Sequence, residues 1–176
     1  MGLHPLLSDI LERQLRSLRR IRLGMLIFSV AVVAAGFFLP EGASVGAADD
    51  VALASIGLGV TAAAMLAASR WVTRCFSDPA RVVRAGAEEL RGYGLPERLD
   101  LGIGRQAVYL TRVSAGWVLG WGMVASVGVL GLLCRWLGSP MWAAALFGAG
   151  SIVFLLWFRV PDDEVRIRVG NLGGGG

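Results

Sequence analysis

Three short stretches of this 176-residue chain carry residue types used in catalysis or ligand binding. "PDDE", residues 161–164, sets three carboxylates side by side, the donor type that a hard divalent cation takes. No second oxygen-ligand cluster lies near it in sequence, so a solvated interfacial run is expected. Asp49 and Asp50 form another acidic pair. Repeated around an oligomer such a pair would ring a cation pore, but helix capping and the helix dipole favour acids at this place for structural reasons alone. "GIGRQA", residues 102–107, fits the phosphate-cradling pattern G-x-G-x-x-A. That pattern requires a strand before it, a soluble helix after it and an acid about 20 residues on. Position 124 lies within an apolar run instead, which makes the match a coincidence of glycine content.

The remaining reactive side chains are sparse. His4 is the only histidine and stands at a chain end. Cys75 and Cys134 are too few for a disulfide framework or a zinc site. Ser29, Ser55, Thr61, Ser114, Ser126 and Ser151 lie in apolar runs with no general base among them, and are expected to bond helix backbone. The interiors of those runs hold no ionisable residue, whereas proton relays, sodium sites and voltage sensors use such residues inside the membrane. No catalytic, cofactor-binding or metal-binding residue is therefore assigned, no cofactor is expected, and the chain reads as no enzyme. A membrane-embedded lipid enzyme would have to build its site from Asp49, Asp50, Asp162 and Asp163.

The elements that carry these residues follow from hydropathy. The chain is 55% hydrophobic and 17% charged, with mean hydropathy +0.63, against about 25% charged residues in a soluble domain. A bilayer-spanning helix needs about 20 apolar residues. Four stretches meet that need: about 23–39, 51–70, 113–134 and 141–158. A cleaved signal peptide is the rival reading of the first. Its 22 preceding residues and its long apolar run argue for a retained span.

All 17 basic residues are arginine, and their positions orient the spans. Every arginine except Arg135 precedes span one, lies between spans two and three, or follows span four. Both termini and residues 71–112 are thus expected in the cytoplasm, in a bacterial inner membrane. The net charge of +4 then reflects membrane sidedness, and no nucleic-acid partner is expected. Trp136 and Trp142 flank the short outer turn, while Trp71, Trp117 and Trp157 fall near the inner ends.

Small residues permit close helix approach in lipid. Ser55, Gly59, Ala63 and Ala67 recur every four residues in span two; Gly116, Gly120 and Gly128 share that spacing in span three; Ala144 and Gly148 do so in span four. These are the expected helix-packing residues. At the N-terminus, Leu7, Ile10, Leu11, Leu15, Leu18 and Ile21 recur at helical spacing among arginines, an amphipathic helix expected against the inner leaflet. Arg13, Arg16, Arg19, Arg20 and Arg22 are its expected contacts to anionic lipid headgroups, at about 1 kcal/mol each. A capped helix is expected over residues 79–91 of the cytoplasmic loop. Alternation in "RLDLGI" and "EVRIRV" predicts two short paired strands, with Asp100 near Arg166 or Arg168. The glycine-rich residues 170–176 should form a flexible tail.

The fold class read from the sequence is an all-α integral membrane protein. It comprises a single domain over residues 1–176, with four transmembrane helices as two antiparallel hairpins, an N-terminal amphipathic cytoplasmic helix and a short cytoplasmic helix between spans two and three. The span pattern is similar to that of small four-span bacterial membrane proteins, a likeness that implies no activity. Packing signals without catalytic ones point to a non-enzymatic accessory or scaffold subunit, partnered by membrane lipids and by a membrane protein or a second copy of itself. The alternative is a homo-oligomeric pore or small transporter lined by the Gly and Ala faces of spans two and three.

Overall fold

A proline has no N–H to lose in the first turn of a helix, and Pro5 stands at such a place. From it α1 (Pro5–Phe38) runs for 34 residues. The computed structural model describes residues 5–38, 48–84 and 101–173. Five further helices follow among them: α2 (Ala48–Phe76), α3 (Pro79–Arg84), α4 (Leu101–Trp136), α5 (Met141–Trp157) and α6 (Asp162–Gly173). The described residues contain no strand.

The helix ends have identifiable causes. Asp78 Oδ1 accepts a hydrogen bond from the Ala80 N–H at 3.0 Å, capping α3 with Pro79 in its first turn. Between α4 and α5 the chain turns through Gly138, at φ 93°, a left-handed conformation that costs glycine little. The Gly138 N–H donates to Arg135 O and the Ser139 N–H to Cys134 O, both at 3.0 Å, the two bonds of a Schellman close. Pro140 then opens α5.

Three helical stretches, Ser8–Phe38, Asp50–Phe76 and Gly102–Trp136, are long and apolar enough to cross a membrane. A fourth is gained if α5 and α6, broken between them, count as one span. Among the described residues the fold is all-helical with several such helices, as expected of a multi-pass membrane protein. α5 by itself has 17 residues, about 25 Å at 1.5 Å per residue, a little under the hydrocarbon thickness.

Three expectations are corrected. "EVRIRV" is helical: Val165 and Val169 are buried, at 4% and 0% exposure, while Ile167 between them is 64% exposed. A strand would set all three on one face; a helix pairs only residues four apart. Asp162, Asp163 and Glu164 in the first turn favour that helix through its dipole. The partner segment is likewise helical from Leu101 onward, with Asp100 outside the described residues. The expected tail is helical as far as Gly173, and 174–176 lie outside the described residues. Of the helix expected over 79–91, residues 79–84 are helical and the remainder lies outside them.

The chain forms two compact units. The first comprises Met1–Arg20, Val72–Val118 and Val160–Gly176. Its interior holds Leu11, Leu15 and Leu18 of α1, Val82 of α3, Val108, Tyr109 and Val113 of α4, and Val165 and Val169 of α6. The leucine face of α1 is therefore covered by protein: an apolar stripe is satisfied by either kind of oil.

The second unit comprises Ile21–Trp71 and Leu119–Arg159. On α5, Ala144, Gly148, Ser151 and Leu155 form one buried stripe. A methyl group added at Gly131 of α4 would stand 2.8 Å from Ala144 O and 2.9 Å from Phe147 Cβ. One added at Gly148 would overlap Val33 of α1. The Gly131→Ala substitution should therefore destabilise the protein by about 1–3 kcal/mol, the usual range for overpacking. Gly57→Ala, which meets nothing within 4 Å, should be neutral. Detergent-solubilised thermal unfolding of the two variants checks both.

Candidate functional site

The polar groups of the second unit converge on the C-terminal end of α5. A helix leaves its last carbonyls without intrahelical partners, and α5 ends at Trp157. Arg22 of α1 donates through Nε to Leu155 O at 2.9 Å and through Nη2 to Leu156 O at 2.7 Å. Trp121 of α4, fully buried, donates its indole N–H to Phe158 O at 2.9 Å. The Arg70 guanidinium of α2 lies 4.5 Å from the ring centre of Trp157 and 5.2 Å from that of Phe154, distances at which a cation meets an aromatic face. Three helices thus contribute side chains to the end of a fourth.

Deeper in the same unit the hydroxyls satisfy one another. Ser151 Oγ donates to Val124 O at 2.9 Å. A hydroxyl has one proton to give, so Ser29 must donate in the 3.3 Å contact with Ser151 Oγ. By the same reasoning, with Ser55 bonded to Val51 O, Ser139 donates to Ser55 Oγ at 2.6 Å. Thr61 and Ser126 bond backbone four residues back. An apolar crevice beside Val33, Gly36, Gly131 and Met141 offers no polar side chain.

In the first unit two of the three acids of "PDDE" pair with arginines. Asp162 pairs with Arg19, Glu164 with Arg168 one helical turn on, and Glu12 of α1 with Arg166. Arg168 also donates to Ser77 O at 2.7 Å, and Gln106 Nε2 to Val169 O at 2.8 Å. These bonds tie α6 to α1, to α4 and to the residue after α2. Among the described residues, no three His, Cys, Asp or Glu side chains come together as metal ligands would. The "GIGRQA" residues are helical, so their backbone forms no open cradle. Cys75 and Cys134 are free thiols. Asp50 is exposed, and His4 lies outside the described residues.

The expected packing residues divide. Gly116, Gly120, Gly128, Ala144 and Gly148 are buried; Gly116 faces Phe76, and Gly128 faces Val32 and Ser151. On α2, Ser55 is half-buried and bonded to Ser139, a methyl at Gly59 would meet nothing within 4 Å, and Ala63 and Ala67 are exposed. Of the expected headgroup contacts, Arg13, Arg16, Arg19 and Arg20 are exposed, Arg16 and Arg19 being already bonded to Glu12 O and Asp162. Arg22 is half-buried against α5. That role was missed from the sequence, as were the close approaches of Gly131 and of Gly36, where a methyl group would stand 3.2 Å from Leu132 Cδ2; for Gly131, its position one turn from Gly128 was the available signal.

Comparison with protein-family models, curated proteins and solved structures finds no match to this chain. The arrangement itself predicts a hierarchy among the arginines. Arg22→Gln should cost about 1–2 kcal/mol of stability, since it removes two charge-assisted bonds at a half-buried place. Arg20→Gln should change stability by less than about 0.5 kcal/mol. Chemical denaturation of the two variants in the same detergent gives the comparison.

Proposed function

We propose that this chain is a non-enzymatic multi-pass protein of the bacterial inner membrane, an accessory or scaffold subunit that seats a partner membrane protein against α2. The uncovered face of α2 carries the reading. Only 6% of its most apolar window is buried within the protein, and Gly57, Ala63, Ala64 and Ala67 stand exposed beside Leu53, Ile56 and Val60. Small residues let helix backbones approach closely in lipid, where apolar burial alone joins nothing. The hydroxyls that would otherwise be sought for chemistry are engaged with each other and with helix carbonyls, which supports a role in assembly over catalysis.

In this reading the chain crosses the bilayer four times as two hairpins, with α5 as the last span and with both termini and residues 71–112 in the cytoplasm. The first unit supports that topology. It gathers the N-terminal, middle and C-terminal segments into one body, and these hold every arginine except Arg22, Arg70, Arg135 and Arg159. Segments that pack together share a side of the membrane, and an arginine-rich side is the cytoplasmic one.

Two measurements test the proposal. Reporter fusions at residues 45 and 138 should report an outer location, and fusions at residue 95 and the C-terminus an inner one. A photo-crosslinking residue at position 63 or 67 should capture a membrane protein, while one at position 153, exposed on α5, should capture lipid. Purification as a lone monomer, with positions 63 and 67 crosslinking only to lipid, would refute the scaffold role. An adduct of twice the chain mass would assign that face to a second copy.

A further inference from the structure

The end of α5 gathers more positive charge than its surroundings neutralise. Arg22 is held there by its bonds to Leu155 O and Leu156 O. Arg159 follows α5 directly, three residues after the Leu156 carbonyl that Arg22 bonds. The C-terminal end of a helix carries about half a negative charge, which offsets part of one guanidinium and leaves the pair in excess. Among the described residues, no carboxylate pairs with either side chain.

Donors remain as well as charge. A guanidinium has five N–H groups. Arg22 uses two of them on the α5 carbonyls, so three are left. Arg159 is exposed, and its guanidinium makes no bond among the described residues. Two like charges at one helix end with unused donors form an arrangement that an anion relieves, and the planar forks of two arginines match the oxygens of a phosphate. Trp157 beside them is 69% exposed, and Trp71, next to Arg70 in sequence, is 67% exposed. Indole rings in such a setting sit at the headgroup level of a membrane.

We propose that Arg22 and Arg159 together bind the phosphate of an anionic membrane lipid, its headgroup lying between the two guanidiniums beside Trp157. The inference rests on the membrane reading above and adds a defined lipid site to it. Arg22 serves two roles there, fixing the end of α5 and presenting its remaining N–H groups to the lipid.

The test uses the full chain in detergent micelles, titrated with phosphatidylglycerol or phosphatidylcholine, with bound lipid counted by native mass spectrometry. The wild type should retain phosphatidylglycerol in preference to phosphatidylcholine. Arg159→Gln, which breaks no internal bond, should weaken that binding about fivefold, the factor corresponding to about 1 kcal/mol per arginine at an anionic surface. Arg20→Gln should bind as the wild type does. Equal retention of the two lipids, or an Arg159→Gln variant indistinguishable from wild type, would overturn the site while leaving the membrane reading standing. Displacement of the lipid by an excess of inorganic phosphate would assign the group held to free phosphate and end the lipid assignment. Recovery of the chain in a detergent-free soluble fraction would overturn both readings.

Discussion

A peptide carbonyl in hydrocarbon has no water to accept from, and leaving one unbonded costs several kcal/mol. This constraint accounts for most of what the structure does. The described residues are helical because an α-helix bonds its own backbone. At the end of α5 the ladder stops, and the carbonyls of Leu155, Leu156 and Phe158 turn to side chains instead. Arg22 and Trp121 are where they are because those carbonyls need donors. Arg22 has reach, several donors and a permanent charge; Trp121 brings one N–H on a large apolar body that buries completely.

Close packing follows as the second demand. Among α1, α4 and α5 the second unit is drawn so tight that Gly131 and Gly148 leave no room for a methyl group. The hydroxyl pairs fit because serine adds little volume while giving a polar link between helices, as Ser29 and Ser151 do between α1 and α5. α2 takes less part in this. It is anchored near its start by Ser55 and near its end by Arg70, and most of the face between is uncovered.

Helices and apolar spans were legible in the sequence, since long runs without charge leave few alternatives. The strand expected at residues 165–169 failed because Val-x-Ile-x-Val satisfies an alternating pattern and an i, i+4 pattern at once. The acidic first turn after Pro161 was the better guide. Equal spacing of small residues did not distinguish Gly128, which faces Val32 and Ser151, from Gly59, which meets nothing; the difference lies in the neighbouring helix, which spacing does not encode. The leucine face of α1 was legible as apolar but not as covered by protein rather than lipid. Nothing local marked Arg22 as the partner of carbonyls 133 and 134 residues away.

The cations that fasten α6, namely Arg19, Arg166 and Arg168, are all guanidiniums, and the chain has no lysine to stand in for them. Acetylation, ubiquitination and other acyl transfers to side-chain amines consequently find no target on this protein. Its electrostatic fastenings lie beyond the reach of the commonest enzymatic means of erasing positive charge. Only chemistry directed at arginine itself can loosen them covalently.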